Sequence, residues 1–122
     1  MLVFNVDDDV DDRGLFIYAV KAADSNICCV SFENGQDLLT SLAIVEILPD
    51  YIFIDINMPK MNGYECVQEI KLNDRLKHIN IIMHSTAFTE KDVTTFREMG
   101  VGFLLKCIRI GDLIQEIKKL MA

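Results

Sequence analysis

Short apolar runs alternate along the chain with longer stretches in which apolar residues recur every three or four positions. Leu2 to Val6, Ile27 to Phe32, Tyr51 to Ile54, Asn80 to His84 and Gly102 to Leu105 read as strands. The segments between them have helical period. Asp12 to Ala23 sets Phe16, Ile17, Val20 and Ala23 on one face; Gln36 to Ile47 sets Leu38, Leu39, Leu42 and Val45; Gly63 to Leu72 sets Cys66, Val67 and Ile70. Glu90 to Met99 is thinner, with Val93, Phe96 and Met99, whereas Gly111 to Met121 carries Leu113, Ile114, Ile117, Leu120 and Met121 at i, i+3, i+4, i+7 spacing. Five strand-helix units are too few to close an eight-stranded barrel, so the pattern predicts an α/β fold: an open, doubly wound five-stranded parallel sheet with helices on both faces. The strand runs are apolar almost throughout, as a sheet covered on both faces requires. In such sheets ligands bind beyond the carboxyl ends of the strands, which directs attention to the residues just after Val6, Ile54, His84 and Leu105.

Composition narrows the class. The 122 residues are 51% apolar and 25% charged with two prolines and six glycines, which excludes disorder and fits one domain over residues 1–122. The net charge is −7, with no basic run, which argues against direct binding to nucleic acid or to an anionic membrane. Cys28, Cys29, Cys66 and Cys107 form no CxxC pair and no zinc-ligand spacing, so they read as small core residues. With no charged leader and no apolar run near the ~20 residues of a spanning helix, the expected location is the cytoplasm, with free thiols.

The polar residues at the strand ends carry the chemistry. Asp7-Asp8-Asp9-Val10-Asp11-Asp12 follows the first strand, and Asp11 or Asp12 is expected to cap the helix behind it. An EF-hand reading of this run fails, because it needs glycine where Asp12 stands and glutamate where Tyr18 stands. The third strand closes on Asp55, the fourth on His84-Ser85-Thr86-Ala87 and the fifth on Lys106. With strand order 2-1-3-4-5, the flavodoxin-like (βα)5 arrangement, Asp7, Asp8, Asp55, Ser85 and Lys106 converge on one pocket. Carboxylates ~4 Å apart repel by about 1 kcal/mol in water and ~4 at an effective dielectric of 20, so three of them call for a divalent cation. Oxygen-only ligands with a part-open shell suit Mg²⁺. Lys106 and Ser85 are then placed to meet phosphoryl oxygens, with Asp55 as an in-line nucleophile.

Ile54-Asp55-Ile56-Asn57-Met58-Pro59-Lys60-Met61-Asn62-Gly63, together with Val6-Asp7-Asp8, resembles the receiver domain of two-component response regulators, and the resemblance covers the whole chain. It implies that Asp55 is the phosphorylated residue and that Asp8 and Asp55 ligate Mg²⁺ directly. By the same resemblance Asp7 acts through water and the Asn57 carbonyl completes the protein ligands. It places Ser85 at the switch hydroxyl position, Phe103 at the aromatic switch position and Lys106 at the lysine position. Two departures stand out. Cys107 follows Lys106 where the family has a cis proline, and a trans bond is expected there because a non-proline cis bond costs ~2.5 to 4 kcal/mol. Thr86 is bulkier than the alanine or glycine common after the switch hydroxyl.

The reading that follows is a single-domain response regulator receiver. A sensor histidine kinase or histidine phosphotransfer protein donates to Asp55, and a downstream protein partner reads the altered surface, which in many relatives is helix 4, strand 5 and helix 5. No output domain is expected beyond Ala122. The competing reading is a receiver-like scaffold or binding module that signals without phosphorylation. An aspartate-nucleophile phosphatase would want aspartate where Asn57 stands, and a flavin or nucleotide site would not tolerate the acidic run after strand 1. Oligomeric state is not legible.

Overall fold

A computed structural model of the chain describes residues 1–106 and 109–122; the expectations for Cys107, its burial and the Lys106–Cys107 bond, lie outside them. The elements run β1 (Leu2–Val6), α1 (Val10–Ala23), β2 (Cys28–Phe32), α2 (Gly35–Ile44), β3 (Tyr51–Asp55), α3 (Gly63–Leu72), β4 (Asn80–Ser85), α4 (Glu90–Glu98), β5 (Gly102–Leu105) and α5 (Ile110–Met121). All neighbouring strands pair in parallel, in the order β2-β1-β3-β4-β5. The expected doubly wound, flavodoxin-like sheet is the observed one.

Strand side chains alternate between faces, and this divides the core in two. Phe4, Val6, Ile52, Ile54, Ile81 and Met83 pack against Leu38, Leu42, Val67, Ile70 and Phe96 of α2, α3 and α4. Val3, Phe53, Ile82 and Leu104 pack against Phe16, Val20, Leu113 and Ile117 of α1 and α5. The central strands β1, β3 and β4 are largely apolar on both faces because both faces are covered.

Several sequence expectations need correction. β2 is an edge strand with no fully buried position, so Cys28 is exposed and Cys29 only partly covered; of the described cysteines, Cys66 alone lies in the core. α2 ends at Ile44 rather than Ile47, with Ile47 largely exposed, and the Arg75 guanidinium donates to the carbonyls of Leu42 and Val45 at this helix end. α1 begins at Val10, and its N-cap is Asp9, whose carboxylate accepts from the backbone N–H groups of Asp11 and Asp12. Asp11 and Asp12 therefore lie inside the first turn and are not the cap. The thin α4 is fastened by a Thr89–Asp92 capping box and by the Tyr64 hydroxyl, which donates to Asp92 from α3.

Candidate functional site

The alternation that divides the core also sorts the polar strand-end residues. Phe53 and Ile82 face α1 and α5, so Asp55 and His84, two positions on, lie on that face too, as does Lys106 two positions beyond Leu104. Ser85 and Phe103 have the opposite parity and belong to the α2–α4 side.

Lys106 is the hub. Its Nζ lies 2.8 Å from Asp7 Oδ2, 2.9 Å from Asp12 Oδ2 and 3.5 Å from Asp55 Oδ2. Its backbone N–H donates to the Ser85 carbonyl at 2.7 Å, holding the end of β5 beside that of β4. Asp7, Asp8 and Asp55 each offer a carboxylate oxygen, and these atoms lie within 4.8 Å of one another. Asp7 and Asp55 are buried; Asp8 is exposed and leaves the cluster open to solvent on one side. Asp7 is fixed from two directions: its Oδ1 accepts the Asp9 N–H at 3.0 Å, and its carbonyl accepts Arg13 Nη1 at 2.7 Å. Asp55 Oδ1 accepts the Asn57 N–H at 3.3 Å.

The electrostatics follow from burial and charge. Burial pushes the Asp55 carboxyl up to about 6 against the pull of Lys106, with the Asp7 and Asp8 charges adding to the rise. Burial also works against the Lys106 ammonium, but hydrogen bonds to Asp7 and Asp12 and the Asp55 and Asp7 charges outweigh it and hold its pKa above the usual lysine value. One ammonium among clustered carboxylates leaves excess negative charge, and the cluster offers only hard oxygen donors. That donor set fits a hard divalent cation.

Asp7, Asp8, Asp55 and Lys106 are thus brought together. The Ser85 hydroxyl is buried but closes on its own loop, donating to the Ala87 carbonyl at 3.0 Å and accepting the Ala87 N–H at 3.4 Å. Thr86 and Asn57 are exposed. Phe103 is half-buried, edge-on to Phe88 at 5.1 Å and to Phe96 at 6.2 Å, and Tyr64 stacks on Phe96 at 4.4 Å. Two residues escaped the sequence reading. Asp12 was expected as a cap and instead pairs with Lys106; its place five residues after Asp7, in the first turn of the next helix, was the available signal. His84 was passed over within its strand, although a polar residue in an apolar run marked it; it is buried, with neither ring nitrogen hydrogen-bonded. Burial, aided by the Lys106 charge and opposed by Asp12, lowers its pKa to about 4.

Residues 3–118 match the family described as the response regulator receiver domain. The sensory transduction protein LytT of Oceanobacillus iheyensis is 35% identical over 94 residues, covering 77% of this chain and 37% of LytT. The chain spans less than half the length of the first curated relatives it matches. Among solved structures, the phosphorylated cyanobacterial phytochrome response regulator RcpA is 26% identical with a TM-score of 0.87, over 98% of this chain and 89% of that one. The Mn²⁺-bound form of response regulator Rcp1, a protein that Synechocystis carries, is 26% identical with a TM-score of 0.84, over 98% and 90%.

Proposed function

The chain belongs to the response regulator receiver family, and from that premise we propose that Asp55 accepts a phosphoryl group in a Mg²⁺-dependent reaction and that the product switches binding to a protein partner. Receiver domains are phosphoacceptor signalling domains, not enzymes acting on a separate substrate. The observation that carries the reading is a buried Asp55 with the Lys106 ammonium 3.5 Å away and the Asp7 and Asp8 carboxylates beside it. The donor is a phosphohistidine of a histidine kinase or phosphotransfer protein. An Asp55 oxygen attacks phosphorus, the P–N bond breaks, and the protonated phosphoimidazole leaves as neutral imidazole, so that an acyl phosphate stands on Asp55. Asp7, Asp8, Asp55 and the Asn57 carbonyl would hold Mg²⁺, whose charge offsets the carboxylates and the incoming phosphoryl oxygens.

The acyl phosphate brings up to about two negative charges into the site. Lys106 pairs with them, and the Ser85 hydroxyl exchanges the Ala87 carbonyl for a phosphoryl oxygen. Phe103, which packs on Phe88 and Phe96, repacks behind it and biases the α4–β5–α5 surface between two arrangements. A downstream protein reads that surface. Incubation with acetyl phosphate and Mg²⁺ tests the assignment: the protein takes up one phosphoryl group, and Asp55→Ala takes up none while keeping its circular dichroism. Undiminished labelling of Asp55→Ala would overturn Asp55 as the acceptor. A wild-type protein that never labels favours the phosphorylation-independent scaffold.

A further inference from the structure

Lys106 divides one ammonium among three carboxylates, and one of these has no part in the acceptor chemistry above. Asp12 lies in the first turn of α1, with 38% of its side chain exposed, and contacts Lys106 Nζ at 2.9 Å. That contact matches the one to Asp7 at 2.8 Å and is closer than the one to Asp55 at 3.5 Å. An ammonium has three donor protons. Asp7 and Asp12 hold two of these at hydrogen-bond distance while Asp55 stands 3.5 Å off, so the ammonium must shift toward Asp55, against the pull of Asp12, to donate a full hydrogen bond to a phosphoryl oxygen there. Asp7 is 2% exposed and pinned at both its carboxylate and its carbonyl, so it is the fixed partner. Asp12 faces solvent, and water replaces the ammonium there at little cost.

A second observation shows that the α1 side accommodates the lysine at rest. On the Asp12 side of Lys106 lies a small hollow of about 30 Å³, lined by Asp12, Leu15, His84, Lys106 and Leu113. His84 is 4% exposed, with neither ring nitrogen hydrogen-bonded and its ring 5.5 Å from that of Phe16. Leu15, Leu113 and the aromatic His84 offer an apolar bed to the lysine stem while its head reaches the Asp12 carboxylate.

We propose that Asp12 is a positioning residue for phosphoryl transfer: it parks the Lys106 ammonium on the α1 side in the unphosphorylated chain, and phosphorylation must draw the ammonium away from it. The inference rests on Asp55 as acceptor. Asp12 then acts as a brake, because its contact with Lys106 is made before transfer and given up as the phosphoryl group arrives.

The test compares initial rates of labelling by acetyl phosphate at fixed Mg²⁺ in wild type, Asp12→Asn, Asp12→Glu and Asp11→Asn. The pair is part-buried, with Asp12 open to water on one side, and its release is expected to make Asp12→Asn label about two- to five-fold faster. Asp12→Glu restores a carboxylate and stays near the wild-type rate. Asp11→Asn removes the same charge from the same exposed turn without a Lys106 contact and also stays near it. The ¹⁵Nζ resonance of Lys106 provides a readout that general loss of charge does not move: in unphosphorylated Asp12→Asn it shifts from its wild-type position, whereas in Asp11→Asn it does not. Equal or slower labelling of Asp12→Asn would overturn the brake, as would equal acceleration in Asp11→Asn or an unmoved Lys106 resonance in Asp12→Asn. If wild type labels and Asp12→Asn does not differ, this inference alone fails. If wild type does not label, the acceptor reading fails and takes this one with it.

Discussion

Asp55 combines two demands that oppose each other: a nucleophile must be ionised, and a group at the end of an apolar strand resists ionisation. Its pKa of about 6 in the fold lies above the ordinary 3.8. Between those values the folded chain holds a proton that the unfolded chain has lost. The resulting stability is fully present below pH ~4 and is lost as the pH rises through about 6. Above that, the ionised Asp55 costs the fold up to about 3 kcal/mol. Asp55→Asn, which needs no such proton, is therefore expected to exceed wild type in stability by up to about 3 kcal/mol at pH 7.5 in EDTA, with the gap closing toward pH 4. Urea unfolding of both proteins across that range checks it, and a gap that does not depend on pH would contradict it. His84 works in the other direction, since a folded pKa of about 4 makes the chain lose stability as the pH falls below its ordinary 6.5. Both proteins carry it, so it cancels in the difference. The sequence placed Asp55 correctly at a strand end, but the size of its shift depends on which charges stand beside it.

At the scale of elements, the glycine eight positions after Asp55 has a steric reason. Gly63 opens α3 with its N–H on the Ile56 carbonyl at 2.9 Å, which brings the helix end down onto the end of β3. A Cβ there would stand 2.7 Å from the Asp55 carbonyl oxygen, 2.8 Å from Met83 Cε and 2.9 Å from Ile56 Cα. Met83 can swing aside, but backbone cannot. Gly63→Ala is expected to cost about 2 to 3 kcal/mol and to slow labelling, since relief of the clash moves the backbone that carries Asp55. Chemical denaturation and initial labelling rates measure the two effects; an unchanged midpoint would show that α3 is free to shift. The helices themselves were legible from their apolar period. Their ends were less so, because a run of five aspartates offers several caps and backbone geometry selects Asp9 among them.

For the whole molecule, a cation that binds only the folded chain stabilises it by mass action, by about 2.7 kcal/mol at a concentration a hundred times its Kd. Mg²⁺ is therefore expected to raise the melting temperature of wild type. Asp8→Asn should lose most of that increment, because Asp8 belongs to the carboxylate cluster. Asp9→Asn should keep it, because Asp9 is spent on capping α1 and asparagine caps as well. Thermal melts with Mg²⁺ and with EDTA decide the matter, and equal losses in the two variants would remove Asp8 from the metal site.

The division between sequence and structure follows the range of the interactions. Apolar period, strand length and the residues closing each strand are local quantities, so the five-unit parallel sheet and the polar residues at its carboxyl edge were readable from the chain alone, whereas the convergence of Asp7, Asp8, Asp55 and Lys106 depended on the strand order, and Ser85, expected among them, closes on its own loop. Strand parity then set His84 on the same face as Lys106 and sent Ser85 and Phe103 to the opposite one. What the sequence could not decide was partnership. Lys106 is 94 residues from Asp12, and its choice among the surrounding carboxylates depends on how α1 packs against the sheet beside α5. The exposure of Cys28 has the same origin, since only the assembled sheet makes β2 an edge. A side chain's type limits which contacts it can make, but burial and counter-charge are properties of the neighbours that tertiary packing brings to it.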